Sequence, residues 1–116
     1  MIDVAVLATR TKGCCQELED PVSPAAADAA AAILKALADP TRVRMLAMLD
    51  RAREPVCVCD FTAAFDLAQP TVSHHLGKLR EAGLVTSHKR GIWAFYALAP
   101  DMPGLARDVV TALSRH

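Results

Sequence analysis

Two tight cysteine pairs, Cys14-Cys15 and Cys57-Val58-Cys59, hold all four cysteines of this chain. Adjacent cysteines rarely bridge each other, because a disulfide demands a geometry that a short loop strains to reach. In a reducing compartment, clustered thiols point first to a soft metal or metalloid and then to redox chemistry. A lone buried cysteine serves well as a small hydrophobe. Two within three residues, with a second pair in a polar stretch, do not fit that use.

The other chemically promising segment is Gln69-Pro70-Thr71-Val72-Ser73-His74-His75. A helix that reads DNA buries one face and presents small polar groups near its N-terminus to base edges. Gln pairs bidentately with adenine, and Ser and His reach base edges or phosphates. Gln69 and Ser73 can instead cap the helix, and His75 flanks its buried face. His74, opposite the apolar stripe, is harder to explain as core. Charge falls in the same place. From Gln69 to Trp93, Lys78, Arg80, Lys89 and Arg90 face one acid, Glu81, in a chain of formal net charge +0. From Cys14 to Asp39, Glu17, Glu19, Asp20, Asp28 and Asp39 face only Lys35. Phosphate contacts would therefore come from the helix and the hairpin after it.

The elements that must position these groups follow from spacing. Residues 1–24 read as an arm, with Gly13, Pro21, Pro24, an acidic run and no sustained period. Residues 25–116 form the domain. Ala25 to Ala38 carries Ala30, Ile33, Leu34 and Leu37 at helical spacing. Asp39-Pro40 stops that helix and starts the next, since Asp caps and Pro suits a first turn. The second helix runs to about Leu49, with Val43, Leu46 and Leu49 inward and Arg42, Arg44 and Arg51 toward solvent. After Pro55, a short helix from about Cys59 places Phe61, Ala64 and Phe65 on one face. Asp66-Leu67-Ala68 turns, and the next helix runs from Pro70 to Gly83, a residue suited to a left-handed stop. Two β-like runs follow, Leu84 to Ser87 and Ile92 to Leu98. The second alternates Ile92, Ala94, Tyr96 and Leu98 against Trp93, Phe95 and Ala97, and His88-Lys89-Arg90-Gly91 reads as the hairpin tip. An amphipathic helix, Leu105 to Leu113, closes the chain. This order predicts a mainly α, α+β fold: a winged helix-turn-helix.

Composition bounds the rest. With 116 residues and 12.4 kDa, the chain is one domain, too small for a multidomain enzyme. The apolar start, Ile2 to Ala8, contains Asp3 and precedes Arg10 and Lys12, the reverse of a signal peptide. The apolar stretch from Ala25 to Leu34 is interrupted by Asp28 and too short for a membrane helix. A soluble, cytoplasmic protein without a membrane partner is the expectation. An arsenate or disulfide reductase would use Cys-x-x-Cys or a cysteine in a phosphate loop, and neither is present, so no enzyme and no small-molecule substrate are expected.

Four blocks together resemble the ArsR/SmtB family of metal- and metalloid-sensing repressors. They are Leu37-Ala38-Asp39-Pro40-Thr41-Arg42, Val56-Cys57-Val58-Cys59-Asp60, Gln69 to Leu76, and Glu81-Ala82-Gly83-Leu84-Val85, in register over residues 26–100. The resemblance implies a homodimer packed through its first and last helices that binds two-fold operator DNA. By position it implies Gln69, Ser73 and His74 at bases, with Thr71, Lys78, Lys89 and Arg90 at phosphates. It also implies release of DNA when an effector binds. The zinc site that some members carry on the last helix is not matched by Asp101, Asp108 and His116. The Cys-x-Cys start of the helix before the turn is matched by Cys57 and Cys59, with Thr62 where some arsenic sensors have a third cysteine.

A missing ligand must therefore come from Cys14 or Cys15, and other members do reach from an N-terminal arm. The implied effector is As(III) or Sb(III), held by three thiolates drawn from Cys14, Cys15, Cys57 and Cys59. Cd(II) or Pb(II) is the alternative, and a thiol redox-sensing repressor is another. The start of a helix would stabilise the thiolates of Cys57 and Cys59.

Overall fold

The structure is a computed structural model that describes residues 3, 5 and 15–115. Cys14 and His116 lie outside the described residues. Ser23 caps α1 (Pro24–Leu37), its hydroxyl accepting the Ala26 N–H at 3.1 Å. The helix thus starts at the expected last residue of the arm, one residue before the expected helix start at Ala25. Asp39 caps α2 (Pro40–Arg51), its carboxylate accepting the N–H groups of Thr41 and Arg42 at 2.9 and 3.1 Å. Both helices begin on proline, whose missing N–H is no loss at that position.

A two-residue strand, β1 (Val56–Cys57), leads directly into α3 (Val58–Phe65). Asp66 then adopts a left-handed conformation at φ 53°, which turns the chain toward α4 (Gln69–Glu81). Strands β2 (Val85–Arg90) and β3 (Trp93–Leu98) form the wing, and α5 (Gly104–Leu113) closes the fold. Helices α3 and α4 are the helix-turn-helix. The fold is a winged helix-turn-helix, as the element order predicts.

The core is built where these elements meet. Met45 and Leu46 of α2, Phe61 of α3, and Val72, Leu76 and Leu79 of α4 are buried with Ala106 and Val110 of α5. Burying each large side chain of this kind contributes roughly 1.5–3 kcal/mol. The interior stripe of α4 leaves its other faces to Gln69, Thr71, His74 and Lys78, which are exposed.

Several sequence expectations are corrected here. The sheet has three strands in the order β1-β3-β2, not two, because Val56 and Cys57 pair antiparallel with Tyr96 and Phe95. Two residues are too few to show alternation, so long-range pairing alone defines that strand. His88, Lys89 and Arg90 belong to β2, paired with Phe95, Ala94 and Trp93. The turn is Gly91-Ile92, with Gly91 at φ +63°, a conformation natural to glycine in a tight hairpin. Ile92 therefore does not share the buried face of Tyr96; it is 91% exposed at the tip. Ala64 of α3 is exposed beside buried Phe61 and half-buried Phe65, and Leu34 of α1 is half exposed. Arg42 does not reach freely into solvent but is half-buried against α4.

Candidate functional site

Cys57 occupies two elements at once. It ends β1, paired with Phe95, and it is the N-cap of α3. Its backbone N–H donates to the Asp60 carboxylate at 2.9 Å, closing a capping box on the first turn. The Cys57 side chain is buried, whereas Cys59, two residues on, is exposed. Contact with the Cys57 thiol raises the Cys59 thiol above its usual range. Loss of solvent and the negative charge of Asp60 add to that shift. The helix start therefore does not favour the Cys59 thiolate as expected, because the neighbouring Cys57 thiol and loss of solvent outweigh the Asp60 backbone N–H that would stabilise it.

The thiols open onto a groove of about 400 Å3, lined by Cys57, Val58, Cys59, Thr62, Gln69, Ile92, Trp93 and Ala94. One wall is α3, one is the wing tip, and Gln69 is the first residue of α4. Thr62, one turn after Cys59, donates its hydroxyl to the Cys59 carbonyl at 2.9 Å. Cys57 and Cys59 are thus brought together, while Cys15 is exposed in the arm. Among the described residues, no group of three or more Cys, His, Asp or Glu side chains is placed to hold a metal ion.

The residues expected to face DNA are spread over α4 and β2. Gln69 donates from Nε2 to Ser73 Oγ at 2.8 Å, so these two side chains are preset against each other on the first turns. Lys78 lies 3.7 Å from Glu81, an exposed pair of small energetic weight. Lys89 and Arg90 are exposed on β2. Arg80 ties the helix to the wing by donating from Nη1 to Ser87 Oγ at 3.1 Å.

Sequence reasoning missed three contributors, Arg42, Ile92 and Trp93. Arg42 donates from Nε to His75 Nδ1 at 3.1 Å, a bond between α2 and α4 that spacing along one helix cannot reveal. Ile92 and Trp93 reach the thiol groove because the turn falls later than the run of polar residues suggests. A Gly directly after the basic run is the signal that marks the true turn.

The sequence profile of the arsR family of bacterial regulatory proteins matches residues 39–87, the span from the α2 cap to the middle of β2. This chain belongs to the ArsR family. It is 45% identical over 71 residues to the arsenic resistance transcriptional regulator ArsR1 of Pseudomonas putida, covering 61% of this chain and 55% of that protein. It is 41% identical over 78 residues to the arsenical resistance operon repressor of Escherichia coli, covering 67% of this chain and 66% of that protein. The chain thus spans between 55% and 66% of the length of these two ArsR relatives. Among solved ArsR-type structures, a homodimeric winged helix-turn-helix DNA-binding domain from Mycobacterium bovis superposes with a TM-score of 0.64 at 25% identity. That match covers 86% of this chain and 85% of the other. The ArsR proteins are transcriptional regulators, not enzymes. No helix among the described residues is long and apolar enough to cross a membrane.

Proposed function

We propose that this ArsR-family chain is a cytoplasmic transcriptional repressor that binds operator DNA as a homodimer and releases it when As(III) or Sb(III) is captured by cysteine thiolates. The observation that carries the reading is the meeting of Cys57 and Cys59 in one groove with the first residue of α4 and the wing tip. The Pseudomonas and Escherichia relatives, an arsenic resistance regulator and an arsenical resistance operon repressor, support arsenic as the effector.

Two sulfurs come from Cys57 and Cys59, and the third from Cys14 or Cys15 of the arm. Thiolate donors suit a soft centre and disfavour hard cations. When bound, the trivalent centre supplies strong bonds to sulfur that fix the thiols in place. Everything else is done by the protein. Gln69, Ser73 and His74 meet base edges, while Thr71, Lys78, Lys89 and Arg90 meet phosphates. Dimerisation uses α1 and α5, where Leu34 and Leu105 leave apolar surface exposed. The Mycobacterium neighbour, described as homodimeric, supports that assembly.

Coupling follows from packing. Helix α3 lies against α4, so clamping its first turn to the arm shifts the paired reading helices from their one-turn spacing on DNA. A coupling of about 1–3 kcal/mol gives a 5- to 150-fold change in affinity. The test is fluorescence anisotropy of the reduced protein on a duplex from its own upstream region, with and without stoichiometric arsenite. Binding that collapses with arsenite, and survives arsenite after Cys57→Ser, is expected. Release that persists in Cys57→Ser would sink the thiol site.

A further inference from the structure

Helices α1, α2 and α4 enclose a second cavity, of about 320 Å3, that shares no residue with the thiol groove. Three cations line it: Lys35 from the last turn of α1, Arg42 from the first turn of α2 and Lys78 from the last turn of α4. One acid, Glu81, stands among them. It lies 3.7 Å from Lys78 in an exposed pair of little energetic weight, so the lining is net positive. Small side chains, among them Ala36 and Ala82, leave room between the charges.

The cations are held differently. Arg42 is fixed in place, donating from Nε to His75 and from Nη1 to the Ala36 carbonyl. Lys35 is exposed, and among the described residues its ammonium has no hydrogen-bond or ion-pair partner. Like charges lining one cavity repel, and an anion seated between them turns that repulsion into attraction. A phosphate group suits the role, because its several oxygens accept from ammonium and guanidinium groups at once.

Helix periodicity places the cavity beside the reading stripe. Lys78 lies one turn after His74 on the same face of α4. Arg80, two residues on and about 200° around the helix, holds the wing through Ser87. The wing and the cavity therefore flank α4 on opposite sides. A helix about 10–12 Å across fills a major groove about 12 Å wide, with a row of phosphates along each side. On the operator-binding reading, Lys89 and Arg90 serve only the row beside the wing. We infer that Lys35, Arg42 and Lys78 seat a backbone phosphate of the other row. Lys35 and Lys78 donate to its oxygens, and Arg42 adds a charge held by His75 and the end of α1. The inference rests on the operator-binding reading above and adds Lys35 and Arg42 to it.

The experiment is a salt titration of the full-length reduced protein, read by fluorescence anisotropy on a duplex from its own upstream region and on an unrelated duplex. Lys35→Gln is expected to lower the slope of log K against log salt by roughly 0.9 per protomer, on both duplexes alike. At about 0.1 M salt, a slope change of that size weakens binding roughly eightfold. Lys35→Arg is expected to keep the wild-type slope. Neutral methylphosphonate linkages, walked one at a time along a half-site, then locate the contact. One position is expected to weaken the wild type and leave Lys35→Gln indifferent. It should lie across the major groove from the position to which Lys89→Ala is indifferent. A Lys35→Gln slope equal to wild type, or one that falls only together with the urea midpoint, overturns the inference and leaves operator binding intact. So does one shared position for Lys35 and Lys89. Wild-type protein that binds neither duplex overturns the operator reading itself.

Discussion

Arg42 donates from Nε to Nδ1 of His75 at 3.1 Å, joining the first turn of α2 to the middle of α4, the second helix of the helix-turn-helix. The same guanidinium donates from Nη1 to the Ala36 carbonyl at the end of α1, at 3.3 Å. Asp39, which caps α2, places a carboxylate oxygen 3.8 Å from that His75 nitrogen. Three helices are thereby referenced to one imidazole. In the bond to Arg42, Nδ1 of His75 is the acceptor.

Breaking this bracket is expected to loosen α4 without emptying the core. His75→Leu and Arg42→Ala should each destabilise the fold by about 1–2 kcal/mol, the scale of a hydrogen bond to a charged group that is partly screened. The double variant should lose less than the two singles combined, because both remove one contact. Urea denaturation of the four proteins measures the cycle; strict additivity would show that the bond contributes nothing.

Asp39 gives a pH dependence with a definite sign. Hydrogen bonding from the Arg42 backbone N–H, opposed by partial burial and helped by His75, the Thr41 N–H and the Arg42 charge, holds its carboxyl below the usual 3.8. A depressed carboxylate stabilises the fold above its ordinary pKa and loses that contribution as pH falls through the lowered value. The stability gap between the wild type and Asp39→Asn should therefore be flat near neutrality and shrink in acid. Thermal melts from neutral pH down to strongly acidic buffer follow it. Asp39→Ala removes the cap as well and should cost about 1 kcal/mol.

Proton accounting separates the candidate effectors. Arsenite brings its own hydroxides, which leave as water with the thiol protons, so its binding near neutrality releases no net proton. Cadmium has no such acceptor and must expel protons from thiols, including a Cys59 thiol held above its usual range. Cadmium affinity should rise with pH through the neutral range, and arsenite affinity should not. Calorimetry in two buffers of different ionisation enthalpy reads the proton count directly.

If the wing cations meet phosphates as proposed, their loss should be visible in salt. Lys89→Ala and Arg90→Ala are each expected to weaken binding to any duplex and to lower the slope of log K against log salt by roughly 0.9. Gln69→Ala should instead reduce the preference for the operator over unrelated DNA. An unchanged salt slope in the Lys89 and Arg90 variants would remove the wing from the phosphate contacts.

Gly91 sits at φ +63° in the two-residue turn of the wing. An alanine there is expected to destabilise the hairpin by about 1–2 kcal/mol, since a Cβ in the left-handed region meets the following carbonyl. Gly91→Asn should recover part of the loss. Hydrogen exchange at the β2 and β3 amides reports it locally.

Local chemistry made most of the fold legible from the chain alone. Asp39-Pro40, Pro70 and Gly83 mark helix ends through caps and fixed dihedrals, and Val72, Leu76 and Leu79 show the buried stripe of α4 by their period. What depended on long-range pairing was not legible. Strand β1 exists because Tyr96 and Phe95 lie beside it, and the Arg42–His75 bond crosses from one helix to another. The candidate site divides the same way. The Cys-x-Cys spacing announces the thiols, but nothing in the chain order says that Trp93 lines the same groove.

Cys57 is the one residue that belongs to both a strand and the cap of α3, and its strand partner Phe95 is also the partner of His88 on β2. Mechanically, its sulfur is a handle fixed to the edge of a stiff three-strand plate. The far edge of that plate carries Lys89 and Arg90. Two strand spacings, about 10 Å in all, separate the handle from that edge. On the proposed mechanism, a tug at the sulfur would tilt the edge that carries Lys89 and Arg90 as part of one body. On that mechanism the arm cysteines would have only to pull.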